Sequence, residues 1–188
     1  LLRAWHEYAK TKKRWAAMRM VLLQSTEVYL PLRVNESPFN VGQAVELSEF
    51  TWEQTQQLAD NHGLTLEAAE LRQLFDLVGG HPSLLTQAFD HLKHHGQEAL
   101  PGLIELAPTE AGIYRNHLRG HWAVLEQSPE LAETVTQIIR ANHSPVRVES
   151  SHSYQLYSRG LVDLVGNAVV IRCRLYQRYF ASHLGAQD

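Results

Sequence analysis

The chain has 188 residues, 44% of them hydrophobic, with a formal net charge of −3. It is long enough to bury a core as one domain or two small ones, and its composition excludes a disordered chain. No apolar run approaches the roughly 18 residues that cross a bilayer, and the opening "LLRAWHEYAK" lacks the order of a signal peptide, so a soluble, cytoplasmic protein without a membrane partner is expected.

Leu1 to about Lys10 reads as a helix. "RMVLLQST", residues 19–26, reads as a short buried strand, because successive apolar residues end in small polar ones. "EVYLPLRV" continues extended, and "NESPFNVGQA" is a loop punctuated by Pro38 and Gly42. Beyond it the pattern turns helical. Thr51 and Gln54 form the capping box of a helix running to about Asn61, and Thr65 is expected to cap the next. That second helix carries Leu71, Leu74, Phe75 and Val78 at i, i+3, i+4 and i+7, a stripe that faces a core.

In "DLVGGHPSLLTQAFDHL", Gly79 and Gly80 stop the helix, because glycine reaches the left-handed cap conformation without steric cost. Pro82 then opens another, at a position where its missing N–H is not needed. Leu85, Phe89 and Leu92 form the apolar face of this new helix. Taken alone, the stretch is a tight corner between two packed helices.

A linker is expected around residues 96–108, after which Thr109 opens a long helix to about Gln127. Ser128 and Pro129 start another, with Leu131, Val135, Ile138 and Ile139 on one face. "SPVRVES" reads as a short strand and "SHSYQLYSRG" as a short helix ended by Gly160. "LVDLVGNAVVIRC" reads as a hairpin around Gly166 and Asn167, and "LYQRYFASHL" as a final helix. Helix, helix, strand, helix, hairpin is the order of a winged helix.

The chain holds no G-x-x-x-x-G-K-[ST], no G-x-S-x-G and no H-E-x-x-H. A phosphate cradle of that kind needs a run of backbone N–H groups and a lysine, so the chain by itself is not expected to hydrolyse nucleotide. Cys173 is the one cysteine, which excludes an internal disulfide and a cysteine-cluster metal site. Among eleven histidines, His91 with His94 and His95, and His117 with His121, fall on common helical faces. No carboxylate or cysteine nearby completes a tetrahedral set, and a solvated surface accounts for them as well.

DNA binding is an open alternative for a winged helix, through its third helix and its wing. Here that helix offers Arg159 as its one cation and the wing tip none, although Ser151, Ser153, Tyr154 and Gln155 are able to touch bases or phosphates. Residues 113–188 hold eight arginines, no lysine and six carboxylates, about +2 in all, with Arg172, Arg174 and Arg178 clustered.

Taken in order, "LLQSTEVY", "SPFNVG", "LSEFTWEQTQQLADNHGL", "LVGGHPSLL", "AGIYRNHLR" and "IRCRLYQRYF" resemble the second half of the bacterial AAA-like domain family. These are signal-transduction ATPases related to the STAND class of P-loop NTPases. The resemblance spans nearly all of the chain. It implies a mainly α fold with small β content: residues 1–45 as the remnant of an α/β ATPase core, residues 46–108 as a helical lid bundle, and residues 109–188 as a winged-helix domain. It also implies that the P-loop core lies upstream of Leu1, as does a first residue that is not methionine, and that the intact parent binds ATP or ADP with magnesium.

In such proteins a sensor strand ends near the γ-phosphate, which puts Ser25 and Thr26 there; ordinary strand-end hydrogen bonding explains them equally. A Gly-x-Pro corner in the lid packs its proline near adenine, and Gly80, His81 and Pro82 match that pattern. A histidine near the start of the last helix reaches the β-phosphate in many relatives, whereas here Cys173 aligns with it between Arg172 and Arg174. A thiol cannot make the same charge-assisted contact. Either an arginine takes the role or closure uses other contacts.

The expected function is therefore a nucleotide-gated switch module, partnered by the upstream core and by self-association or effector domains of the parent. A winged-helix DNA-binding module and a pure protein-interaction module are the alternatives.

Overall fold

The structure, a computed structural model, describes residues 2–15, 17, 19, 21, 43, 45 and 47–185. The chain divides into two compact units, Leu1–Ser48 and Glu49–Asp188. Described residues of the first unit form helix α1 (Leu2–Thr11), whose Trp5 and Tyr8 rings each lie 6.1 Å from Trp15 in the turn that follows. The strand expected at residues 19–26 and the loop after it lie outside the described residues, apart from scattered positions that carry no regular structure.

The second unit is mainly α with small β content, as expected. Helix α2 (Trp52–Asn61) starts on the anticipated capping box: Gln54 N donates to Thr51 Oγ1 at 3.3 Å, and Thr51 N to Gln54 Oε1 at 2.9 Å. Helix α3 (Ala68–Val78) is capped by Glu67, whose N–H donates to Glu70 Oε2 at 3.0 Å. Thr65 is thus not the cap; its N–H and hydroxyl are taken by the Gln97 amide, at 2.8 and 3.2 Å, thirty-two residues away. Leu71, Leu74 and Val78 are buried, and Phe75 meets Trp52 edge-on at 5.6 Å, with the Arg72 guanidinium 5.2 Å over the indole.

Helix α4 (Pro82–His95) buries Leu85, Phe89 and Leu92. The expected linker is instead a 3-10 turn (Gln97–Ala99) followed by helix α5 (Leu100–Leu106). Pro101 and Gly102 look like linker residues, but proline is tolerated in a first helical turn, and Leu100 and Leu103 bury one face of α5. Nor does the next helix begin at Thr109. Thr109 looks backwards, giving its N–H and hydroxyl to Leu106 O at 2.9 and 2.7 Å, and the chain turns tightly at Gly112. A Cβ at Gly112 would collide with Leu106 O, so this backbone approach is open to glycine alone. Helix α6 (Arg115–Glu126) therefore starts six residues later than the sequence suggests.

Helix α7 (Pro129–Arg140) buries Leu131, Val135, Ile138 and Ile139, as the periodicity requires. The strand expected in "SPVRVES" shrinks to one antiparallel bridge, Val146 with Val169. Helix α8 (Ser150–Ser158), strands β1 (Val162–Val165) and β2 (Ala168–Ile171), and helix α9 (Arg174–His183) complete the fold. The strands pair antiparallel with Val165 opposite Ala168, and Gly166 turns at φ +61°, the first-position glycine of a two-residue hairpin. One hydrophobic core runs from Ala59 to Phe180 through all of these elements. The corner between α3 and α4 therefore packs within the same core as the start of α9.

Candidate functional site

The corner is built by two glycines with different tasks. Gly79 adopts φ +66°, which ends α3, and its N–H closes the last turn on Phe75 O at 2.7 Å. Gly80 lets the backbone approach Phe50: Phe50 N donates to Gly80 O at 2.8 Å, and a Cβ on Gly80 would collide with Phe50 O. His81 is the N-cap of α4, its Nδ1 accepting from Leu84 N at 3.4 Å. Pro82 stands exposed at the first position of that helix.

From His81 a relay of rings crosses to α6 and α9. The His81 and His117 rings meet edge-to-face at 5.5 Å, His117 Nε2 lies 2.7 Å from the Tyr176 hydroxyl, and His121 Nε2 lies 3.3 Å from His117 Nε2. A bond between two imidazole nitrogens requires one of them to accept, so His117 and His121 cannot both be charged. Burial depresses the pKa of His117. For His121 burial first, and then repulsion from His117, His81, Arg159 and Arg172, push it down to about 3. Both rings are neutral near pH 7.

A second convergence centres on Glu49, in the non-helical segment ahead of α2. Its half-buried carboxylate accepts from the Gly80 N–H and lies 3.7 Å from Arg172 Nε, while Oε2 stands 3.4 Å from where a Gly79 Cβ would be. Arg172 makes its short contact elsewhere, to Asp163 Oδ1 at 3.0 Å on β1. Burial raises the Glu49 pKa; the Arg172 charge and the Gly80 N–H oppose this, and repulsion from Asp163 adds to it.

Cys173 is the N-cap of α9 and is buried, with its Cβ 4.0 Å from the Gly79 Cβ position. Burial pushes its thiol up to about 12, only partly offset by the Tyr176 and Leu175 N–H groups, so it stays a neutral thiol.

The structure thus brings Gly80, Arg172 and Cys173 together and links His81 to the same helix. Pro82 lies at the rim. Arg174 is exposed in a separate open cleft with Arg178, Gln73, Asp76, Leu77 and Ile104. Ser25 and Thr26 lie outside the described residues. Sequence reasoning missed Glu49 and Tyr176 as site members. The i, i+4 spacing of His117 and His121 was legible, but not their shared partner on α9. Among the described residues no group of three or more His, Cys, Asp and Glu is arranged to hold a metal ion. His91 and His95 stack at 4.3 Å on the far end of α4, and His94 Nδ1 meets Asp90 O at 2.6 Å.

Fold and site define a mainly helical module in which a glycine–proline corner is tied to a terminal helix through one carboxylate and one ring relay. A family model, the AAA-like domain, matches residues 1–182, and the chain belongs to that family. Comparison with curated proteins and with solved structures finds no match to the chain. Among the described residues, no helix is long and apolar enough to cross a membrane.

Proposed function

We propose that this chain is the lid and winged-helix portion of a STAND-like ATPase and acts as a nucleotide-gated switch, not as a catalyst by itself. The observation that carries the reading is the meeting of the Gly79–Pro82 corner with Arg172 and Cys173 at the start of α9, around the Glu49 carboxylate. A corner that reads a nucleotide transmits its state only if it is mechanically joined to what moves, and the two ties described above supply that joint. The order α6, α7, bridge, α8, hairpin, α9 is the winged-helix order, with α2 to α5 as the lid.

The residues present fit a nucleotide in two respects. Pro82 offers an exposed, rigid apolar face suited to a base, and the Gly80 N–H with Arg172 is a donor set suited to an anion. In this reading Gly80, His81 and Pro82 border adenine and Arg172 takes the phosphate contact. Cys173, a buried neutral thiol, brings no charge to it, and Arg174 faces another cleft. Ser25 and Thr26 belong to the sensor strand of the same proposal. ATP or ADP with magnesium would be held chiefly by an upstream P-loop core, which supplies the phosphate chemistry. Exchange of nucleotide shifts the population between a clamped and a released arrangement, the released one exposing surfaces for self-association or for effectors.

The DNA-binding alternative finds less support. The wing tip between Asp163 and Val169 carries no Lys or Arg and exposes Leu164 and Val165.

The test is Pro82→Ala in the intact parent. Nucleotide dissociation, followed with a fluorescent ADP analogue, is expected to accelerate about tenfold, roughly 1.4 kcal/mol, with the melting temperature nearly unchanged. Unchanged dissociation with a lowered melting temperature would return the corner to a purely structural role.

A further inference from the structure

Arg172 is shared unequally by two carboxylates. Asp163 holds its Nε at 3.0 Å, whereas Glu49 stands off at 3.7 Å and is half-buried with one backbone N–H, that of Gly80, as its other donor. A carboxylate removed from water needs several good donors to offset its desolvation, and Glu49 has few. It is also the easier of the two to move. Asp163 sits inside a hydrogen-bonded strand pair, whereas Glu49 lies in the extended segment 47–50, which can swing aside without breaking a helix or a strand. What it would leave behind is a backbone N–H from the α3–α4 corner and a guanidinium from the strand leading into α9, aimed at one point, with the Arg159 charge also acting in this region through His121.

We propose that the Gly80 N–H and Arg172 form an anion cradle and that Glu49 is its built-in, displaceable occupant, giving way to a phosphate-bearing ligand. In the absence of that ligand Glu49 bridges corner and terminal helix, so the lid is held to the winged helix without nucleotide. A phosphate oxygen replaces the carboxylate on the same two donors, keeps the bridge, and frees the segment ahead of α2 to move. Occupancy of the cradle is thereby reported at the chain segment that enters the lid. The identity of the physiological anion rests on the nucleotide reading above; the cradle does not.

Titration calorimetry of the 188-residue chain with magnesium-free pyrophosphate, and separately with ADP, tests this on the native sequence, Glu49→Gln, Arg172→Gln and Arg172→Lys. Glu49→Gln removes the competing charge while keeping size and an acceptor for Gly80, and is expected to bind pyrophosphate about tenfold more tightly than the native chain. Arg172→Gln, combined with Glu49→Gln, is expected to abolish the gain, and Arg172→Lys to retain part of it, which separates lost charge from lost folding. Glu49→Gln that binds no more tightly than the native chain, or that fails to bind at all while melting normally, overturns the proposal. Tight ADP binding that is sensitive to Pro82→Ala but indifferent to Glu49→Gln leaves the nucleotide reading intact and sinks this one. A pyrophosphate gain with no preference for ADP does the reverse.

Discussion

Gly79 and Gly80 are adjacent and identical in type, yet they fail differently when substituted. Gly79 needs a left-handed backbone, at φ +66°. Gly80 needs absence of volume, because Phe50 O occupies the place of its Cβ and Phe50 N lies only 2.8 Å away. A main-chain neighbour held in a hydrogen bond cannot step aside as a flexible side chain would. Gly80→Ala is therefore expected to cost about 1–3 kcal/mol, the range for overpacking, seen as a lower urea midpoint with unchanged m-value. Gly63→Ala is the control: it has φ +74° but open space around it, so it carries only the conformational penalty of about 1 kcal/mol. Equal losses at both positions would mean that the Phe50 contact relaxes. The glycine pair was legible in the sequence as a helix stop. Which glycine touches what was not, because Phe50 lies thirty residues upstream and nothing local marks it as a partner.

Element boundaries were legible where the deciding hydrogen bonds are local. The capping box of Thr51 with Gln54, the start of α4 at Pro82, the hairpin at Gly166 and the apolar stripes of α3, α4 and α7 are all set by residues within one or two turns of each other. The misreadings share the opposite cause. Thr65 and Thr109 both have the chemistry of an N-cap, but Gln97 captures the first and Leu106 O the second. In the same way residues 96–108 read as a linker until Leu100 and Leu103 find a core to enter. Thr51→Ala is accordingly expected to lose about 1 kcal/mol of stability through its cap, measured by chemical denaturation. Thr65→Ala should lose less, since the Glu67–Glu70 bond at the start of α3 survives it. A larger loss at Thr65 would show that the tie to Gln97 matters more than the cap.

At the scale of the molecule, the rings of His81, His117, His121 and Tyr176 join the α3–α4 corner to α6 and α9, and they do so as neutral groups. This makes the join sensitive to acid, with a definite sign. An unfolded histidine binds a proton near pH 6.5, whereas folded His121 does so only near pH 3, so the unfolded state holds more protons throughout that window. Stability is at its full value above about pH 6.5 and falls towards about pH 3, by up to about 1.4 kcal/mol per pH unit for His121 alone, with His117 adding to the slope in the same direction. The groups that set this are His117, His81, Arg159 and Arg172, with Tyr176 packed on the pair; Cys173 and Tyr114 stay protonated. Denaturation curves between pH 7.5 and pH 4.5 should show the loss, and His121→Gln should flatten it; a slope that the variant leaves untouched would assign it to other groups. The sequence by itself determined the helical character, the corner, the hairpin and the family resemblance, because periodicity, caps and turn residues act over a few positions and survive any packing. Only the tertiary structure decided which residues meet: that Gly80 and Arg172 share Glu49, that His81 reaches α6 through His117, and that Arg174 turns to another cleft. Those pairings span from thirty-one to more than a hundred and twenty residues of chain and are selected by burial of one common core, a condition that no local pattern encodes.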